Sequence, residues 1–385
     1  MSTFKVYGQC PGALTPMAAA DGLVMRIRPL HGQLTADQAR GIAALSERFG
    51  RGLVELTSRA NLQIRGIAEG DHPKMVEDLL RLGLIDTAPA VERARNIIVT
   101  PFHRSNDGTM DLAQALSEAT TRAPRLPAKF GLAIDVGPAP VLQDISTDIR
   151  LERASNASII LRPDGASSGK EVSEADAPEE LLALMDWFIS TGGVTEGRGR
   201  MRQHLARGAR LPNAFVNGLP PAPAFRVPGA GPAEGGILAA AAFGLLPSAT
   251  LAALADLGGS IRMTPWRALF LPGHSSLPAL DGLLLNPADA ILRTHACTGA
   301  PGCTQAIAET RQIARAIAPH LPEEATLHVS GCAKGCAHPA PATATLVATA
   351  NGFALIPHGK SNDPPERILT SEDLMRSPAT LFMAP

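Results

Sequence analysis

One stretch decides the fold: Leu53-Val54-Glu55-Leu56-Thr57-Ser58-Arg59-Ala60-Asn61-Leu62-Gln63-Ile64-Arg65-Gly66. Apolar and polar residues alternate along it, which predicts a β-strand over 53–65. A strand predicted at 23–28 and a helix at 35–49 precede it. The same order returns at 236–243, 248–257 and 260–270, where Ile261-Arg262-Met263-Thr264 matches Val54-Glu55-Leu56-Thr57. The chain is therefore expected to be an internal duplication with a period of about two hundred residues.

The parallel between the two copies continues after each unit. In the first copy we expect a helix, a short strand, a helix and a strand, at 72–83, 95–100, 110–122 and 129–135. The second copy shows an apolar segment, a strand-like run, a helix and a strand, at 283–290, 293–297, 304–318 and 326–330. A linker rich in Pro, Gly and Ala joins the copies at 219–232. This organisation predicts an α+β fold with four domains, at 1–70, 71–218, 219–275 and 276–385.

Composition restricts the possible functions. The 385 residues are 45% hydrophobic and 18% charged, which is typical of a globular protein. A net charge of -1, with one Tyr and two Trp, argues against nucleic acid as a partner. Residues 1–9 lack the apolar core of a signal peptide, and the apolar stretch at 237–246 is too short to span a membrane. We expect a soluble, cytoplasmic protein with no membrane partner.

Four of the five cysteines lie close together in the second copy. The first pair is Cys297-Thr298-Gly299-Ala300-Pro301-Gly302-Cys303, and the second is Cys332-Ala333-Lys334-Gly335-Cys336. Five residues between the first two thiols is wider than structural zinc usually takes. A [4Fe–4S] cluster is larger and accepts unequal spacings, and the glycines allow the backbone to approach its sulfides. The spacing predicts that these four cysteines bind one such cluster, whereas Cys10 is expected to be a plain thiol.

The polar residues of the first stretch can share one face. On a strand with a period of two, that face carries Thr57, Arg59, Asn61, Gln63 and Arg65. Two arginines among amide and hydroxyl groups suit an anion with several carboxylates. Alternation alone is equally compatible with a solvent-exposed strand face.

Together these motifs resemble the sulfite and nitrite reductase family. That family has the pattern Cys-x5-Cys followed by Cys-x3-Cys, and it has a Thr-x-Arg-x-Asn-x-Gln-x-Arg-Gly stretch like the one from Thr57 to Gly66. The resemblance covers residues 10–350. It implies duplicated modules, each a ferredoxin-like half-domain plus a mixed α/β domain that binds the cluster or the ligand.

The same resemblance implies the roles of further residues. In the reductases the stretch that matches Thr57–Gly66 binds siroheme and the bound anion. An Arg at the position of Arg95 contacts the substrate there. Leu126-Pro127-Ala128-Lys129-Phe130 is similar to the family strand whose Lys faces the distal pocket. We therefore take Arg59, Arg95 and Lys129 as candidate catalytic residues.

Two departures separate this chain from the reductases. They have a second Lys where this chain has Gly131, and they usually have Pro-Asn-Gly where this chain has Ala333-Lys334-Gly335. With these changes the chain is similar to the branch of the family that acts in aerobic cobalamin synthesis. That resemblance implies an O2-dependent hydroxylation of precorrin-3A at C20 with closure of a γ-lactone.

A monooxygenase of this kind needs electrons from outside. The sequence has no strong nucleotide-binding motif, so an external reductase or ferredoxin is the expected donor. The resemblance also allows a mononuclear non-haem iron beside the cluster, and three histidines flank the cysteines as possible ligands: His295, His328 and His338.

Two other functions remain open. The first is a siroheme- and [4Fe–4S]-dependent nitrite or sulfite reductase. The second is a non-enzymatic electron-transfer protein, against which the predicted cationic pocket argues, because a carrier does not need one.

Overall fold

The computed structural model describes residues 11–88, 91–92, 95–137 and 140–382, so Cys10 lies outside the described residues. Its strands form four sheets, two in each half of the chain. Within the described ranges no helix combines the length and apolar character that a membrane crossing requires.

The first half begins with a sheet and two helices. Its elements are β1 (Met17–Ala19), β2 (Gly22–Ile27), β3 (Gln33–Leu34), α1 (Ala36–Phe49), β4 (Leu53–Leu56), β5 (Leu62–Ile67) and α2 (His72–Arg81). Helix α1 starts where expected, because Thr35 and Gln38 form a reciprocal capping box at its first turn. Its buried face includes Ile42 and Phe49.

A second sheet follows in the first half. Its elements are β6 (Ile97–Val99), α3 (Thr109–Thr120), β7 (Leu132–Asp135), β8 (Ile149–Arg153), β9 (Ile159–Pro163), β10 (Lys170–Glu171), α4 (Ala177–Ser190), α5 (Met201–Ala206) and α6 (Asn213–Val216). The strands lie in the order β6-β7-β8-β9-β10. The first two pairings are parallel and the last two are antiparallel.

The second half repeats both sheets. The first set is β11 (Gly231–Ala233), β12 (Gly236–Ala241), β13 (Leu245–Pro247), α7 (Ser248–Asp256), β14 (Ile261–Met263), β15 (Ala268–Pro272) and β16 (Leu283–Leu284). The second set is β17 (Thr294–Ala296), α8 (Arg311–Ile317), β18 (Leu327–Ser330), β19 (Ala342–Thr349), β20 (Gly352–Gly359), β21 (Arg367–Leu369) and α9 (Ser371–Arg376). The order β17-β18-β19-β20-β21 has the same parallel and antiparallel pairings as β6 to β10. The predicted duplication is confirmed.

The two halves also exchange strands. The first sheet runs β1-β2-β5-β4-β13 and its counterpart runs β11-β12-β15-β14-β3, so each half lends one strand to the other. Leu246 pairs with Val54, and Leu34 pairs with Ile261. Buried side chains of α1 and α7 belong to one hydrophobic core. Because this core draws on both copies, the halves are expected to fold as one unit.

The prediction of one strand over 53–65 is wrong. The chain turns back between β4 and β5, where the Thr57 carbonyl accepts the N–H of Ala60 and the Thr57 N–H donates to Asn61. Ala60 has a φ of 53°, and the Thr57 hydroxyl accepts the N–H groups of Arg59 and Asn61. A short hairpin preserves the alternation of its strands, so the pattern did not reveal the turn.

The second copy turns in the same way. The Thr264 N–H donates to the carbonyl of Ala268, and Arg267 has a φ of 57°. The matching threonines therefore mark matching hairpin turns, which lie at the centre of the site described next.

Candidate functional site

The four cysteines lie at the carboxyl ends of two neighbouring parallel strands. Cys297 follows β17 directly, and Cys332 follows β18 after one glycine. Strands β17 and β18 pair in register, with Ala296 opposite Val329, so the loops that follow them emerge side by side. This pairing explains why two cysteine pairs distant in sequence meet.

Two of the four thiols have raised pKa values. Burial raises the pKa of the Cys332 thiol, and the negative charges of Cys297 and Cys303 raise it further. The pKa of Cys336 is also raised, first by desolvation and then by the other three cysteines. A bound metal cluster would stabilise the thiolate forms of Cys332 and Cys336, which burial and the neighbouring cysteines disfavour.

The backbone around the thiols suits a large inorganic group. The Gly331 N–H donates to the Cys297 sulfur at 3.2 Å, the kind of bond that tunes iron–sulfur clusters. Gly299 has a φ of 69°, and a Cβ there would lie 2.9 Å from the Thr310 nitrogen. Four thiolates on tight glycine loops fit a [4Fe–4S] cluster held by Cys297, Cys303, Cys332 and Cys336.

The three histidines do not point to a common centre. His295 and His338 stack face to face, with ring centroids 4.2 Å apart, and His328 meets His338 edge to face. Stacked rings direct their in-plane nitrogens in parallel, away from a shared ion. In the described part of the chain no set of three or more His, Cys, Asp or Glu side chains is placed to hold one metal ion. Burial lowers the pKa of His328 to about 4 and of His295 to about 3, so both rings are neutral near pH 7.

The hairpin turn of the first copy contacts the main chain at Lys129. Arg59 donates from Nη1 to the main-chain carbonyl of Lys129 at 3.0 Å. Asn96 donates to the adjacent carbonyl of Phe130 at 2.6 Å. A Cβ at Gly131 would lie 3.1 Å from Asn96 Nδ2 and 3.6 Å from Arg59 Nη1. The missing side chain at 131 therefore leaves the space beside the Arg59 guanidinium.

The other predicted ligand-binding residues differ in their partners. Thr57 holds the turn, and the Asn61 side chain is buried in it with its Nδ2 lacking a hydrogen-bond partner among the described residues. Gln63 accepts from Arg26 and donates to Glu55. Arg65 binds the carboxylate of Asp21 and the carbonyl of Gly302.

Arg95 is paired with a carboxylate. Its Nε lies 2.6 Å from Asp86 Oδ2, and its side chain is only 10% exposed. The Lys129 side chain, by contrast, is exposed.

A cavity of about 340 Å³ lies between the turns of the two copies and the cysteine loops. Its lining includes Ser58 from the first turn, Trp266 and Arg267 from the second, and His295 and Ala337 beside the cysteines. Arg267 donates to the carbonyl of Ala337, the residue after Cys336. Burial and the charge of Arg311 lower the pKa of Arg267.

A second cavity, of about 300 Å³, is lined by Asn96, Phe130 and Gly131 together with the buried ion pair of Arg28 and Glu92.

The sequence reasoning missed Arg267. The repeat was the available signal, because Thr264-Pro265-Trp266-Arg267 occupies the place of Thr57-Ser58-Arg59-Ala60.

Comparisons with known proteins agree with this architecture. The family model "Nitrite/Sulfite reductase ferredoxin-like half domain" matches residues 16–82. A precorrin-3B synthase of Sinorhizobium sp is 30% identical, with 93% of this chain and 84% of the relative covered. The ferredoxin–nitrite reductase of Synechococcus elongatus is 26% identical, covering 82% and 74%. The structure of the Mycobacterium tuberculosis NirA protein superposes with a TM-score of 0.65 at 21% identity, covering 92% of this chain and 79% of NirA.

Proposed function

Because this chain belongs to the nitrite and sulfite reductase family, in the branch that contains precorrin-3B synthase, we propose that it hydroxylates precorrin-3A at C20 and closes a γ-lactone. One atom of O2 becomes the hydroxyl oxygen at C20 and the other leaves as water. The carboxylate of the ring A acetate closes the lactone on the carbon that shares a double bond with C20 and releases its proton, so the closure uses no further electrons. This balance requires two electrons and two protons beyond the substrate. A ferredoxin or a reductase is the proposed electron donor.

The surroundings of Gly131 favour this reaction over the reduction of a small anion. Six-electron reduction of nitrite or sulfite benefits from several cations around a small anion. At 131 the reductases have a lysine, whereas here the space beside the backbone is next to Arg59 Nη1 and Asn96 Nδ2. A side chain there would press on Asn96 Nδ2, which lies 3.1 Å from the Cβ position, and would fill the space beside Arg59 Nη1. The site therefore has fewer cations for a small anion and keeps Arg59 for the carboxylates of a large one.

The chain's own residues have distinct proposed tasks. Arg59 and Lys129 pair with substrate carboxylates, and Asn96 holds the 129–131 segment that presents them. Arg267 fixes the segment after Cys336, at the border between the larger cavity and the cysteines. A [4Fe–4S] cluster bound by the four thiolates would supply single electrons from the donor to this cavity.

A nitrite or sulfite reductase is the second candidate, favoured by the similarity to ferredoxin–nitrite reductases. The two functions differ in their ligands and products. A reductase would be purified with siroheme, whereas the proposed hydroxylase would have none.

One experiment separates them. Anaerobically purified protein is mixed with precorrin-3A, an electron donor and O2, and the product is analysed by mass spectrometry. We expect the mass of one added oxygen atom, about four iron and four sulfide per chain, and no siroheme absorption bands. Stoichiometric siroheme, with turnover of nitrite or sulfite and an unchanged tetrapyrrole, would establish the second candidate instead.

A further inference from the structure

Arg65 connects the first half of the chain to the loop that carries Cys303. Its Nη2 donates to the Gly302 carbonyl at 2.6 Å and to Asp21 Oδ1 at 3.0 Å, and its Nε donates to Asp21 Oδ2 at 3.3 Å. Gly302 immediately precedes Cys303, and 237 residues separate it from Arg65. The contact therefore joins the two copies at a candidate cluster ligand.

The contact is buried and tightly packed. The side chain of Asp21 is 4% exposed and that of Arg65 is 15% exposed. A Cβ at Gly302 would lie 3.3 Å from Asp21 Oδ2, so the loop rests directly on the ion pair. The two bonds to Asp21 fix the plane of the guanidinium, and this orientation aims Nη2 at the Gly302 carbonyl.

The opposite half makes a comparable contact. Arg262 of β14 donates from Nη1 to the carbonyls of Pro101 and His103, each at 2.7 Å. These carbonyls lie in the loop after β6, which corresponds to the Cys303 loop after β17 but has no cysteine. Each half thus holds the loop of the other, and only the contact made by Arg65 reaches a cysteine loop.

We propose that Arg65, oriented by Asp21, is a positioning residue for the cluster: it fixes the loop of Cys303 and balances the Asp21 charge beside it. The proposal concerns the cluster site and does not depend on whether the enzyme hydroxylates a tetrapyrrole or reduces an anion. A guanidinium reaches the carbonyl and the carboxylate together, whereas a lysine ammonium is a single point and lacks the fork.

The full-length protein, purified anaerobically with its cluster, allows a direct test. Arg65→Ala should lose iron to a chelator about tenfold faster, since a charge-assisted bond is worth roughly that factor. Its reduction potential, measured by titration with electron paramagnetic resonance, should become more negative because the Asp21 carboxylate is left unbalanced. Arg65→Lys should restore the potential but only part of the resistance to chelation.

Arg51→Ala is the matched control. Arg51 contacts the same Asp21 at 3.7 Å but is half exposed, so its loss should change neither the rate of iron release nor the potential. Asp21→Asn gives a second route should Arg65→Ala not fold: it keeps Arg65, frees the fork, and should speed iron loss while making the potential more positive. An Arg65→Ala or Asp21→Asn protein with the wild-type release rate and potential would overturn the proposal. So would faster release with an unchanged potential, because that result indicates general destabilisation.

Discussion

The guanidinium of Arg59 and the main-chain carbonyl of Lys129 are joined by a hydrogen bond of 3.0 Å, although 70 residues separate them in sequence. The hairpin turn of the first copy thus lies against the segment that leads into β7. The Arg59 guanidinium is fixed by the main chain of Lys129. The Lys129 ammonium is exposed and can adjust its position to a bound ligand. This arrangement suits a large anion with several carboxylates.

Arg59 should therefore matter for binding the tetrapyrrole. Charge-assisted bonds to a carboxylate are worth ~1.5–3 kcal/mol, so Arg59→Ala should weaken binding of precorrin-3A about ten- to a hundredfold. Arg59→Lys should recover only part of this loss, because an ammonium does not reproduce the planar fork. Anaerobic titration followed by absorption measures the affinity.

Arg81→Ala is the control for Arg59. Arg81 lies on α2, is exposed, and pairs with Asp78. Its removal should leave the affinity unchanged, and both variants should keep the iron content of the wild type. Equal affinities of wild type and Arg59→Ala would remove Arg59 from the site.

Gly131 should tolerate side chains poorly. A methyl group there meets Asn96 Nδ2 at 3.1 Å, so Gly131→Ala requires a small shift of Asn96, whereas Arg59 Nη1 at 3.6 Å stays at ordinary contact distance. Gly131→Lys should disturb the Asn96 contact, fill the space beside Arg59, lower tetrapyrrole affinity as much as Arg59→Ala, and destabilise the protein by ~1–3 kcal/mol through overpacking. Binding titration and thermal unfolding provide the two measurements. Gly70→Ala is the control, since a Cβ there has no neighbour within 4 Å among the described residues. An unaffected affinity in Gly131→Lys would contradict the assignment of this space to Arg59.

Much of the fold could be predicted because the repeat is visible in short-range sequence patterns. Alternation, the capping Thr35 and the matching threonines indicate both copies in the sequence. The exchange of β3 and β13 between the halves could not be predicted, because strands of two and three residues have almost no periodicity.

The candidate site, like the fold, was only partly predictable from the sequence. Cysteine spacing is enough to predict the cluster ligands, since a metal group needs several ligands with particular chemistry. The surroundings of Arg65 and Arg95 were not predictable, because Asp21, Asp86 and the Gly302 carbonyl are brought to them by tertiary contacts. Within the Thr57–Gly66 stretch, Arg59 thus contacts the Lys129 carbonyl, whereas Arg65 contacts Asp21 and the Gly302 carbonyl.

The cysteine assignment makes its own prediction. Replacing any of Cys297, Cys303, Cys332 or Cys336 by Ser should remove most iron and sulfide and bleach the broad absorption of the cluster, because a cubane uses four thiolates. Iron and sulfide assays with the absorption spectrum provide the measurement. Cys10→Ser is the matched control and should keep the full content. Bound zinc without sulfide in the wild type would contradict the cluster.

Asp135 should make stability depend on pH. It pairs in register with Glu152 on β8, and one carboxylate oxygen accepts the N–H groups of Val141 and Leu142. Burial raises its pKa to about 6, and the charge of Glu152 adds to the increase. Since the ordinary pKa is 3.8, the unfolded chain loses this proton near pH 4 while the folded protein keeps it until about pH 6. Stability from this group therefore falls as the pH rises from about 4 to 6, by up to ~3 kcal/mol, and stays lower above that range.

Asp135→Asn tests this dependence because it removes the charge and keeps an acceptor oxygen for the two N–H groups. The variant should unfold at a higher temperature than the wild type at pH 7.5, and this difference should be clearly smaller near pH 4.5, as measured by thermal unfolding of the cluster-loaded protein. Other titrating groups, such as His103 with its pKa lowered to about 4 by burial, affect wild type and variant alike and cancel in the difference. The exposed Asp144 provides the control, since Asp144→Asn should shift the unfolding temperature equally little at both pH values. A difference between Asp135→Asn and wild type that is the same at pH 4.5 and 7.5 would show that Asp135 stays ionised in the folded protein throughout this range.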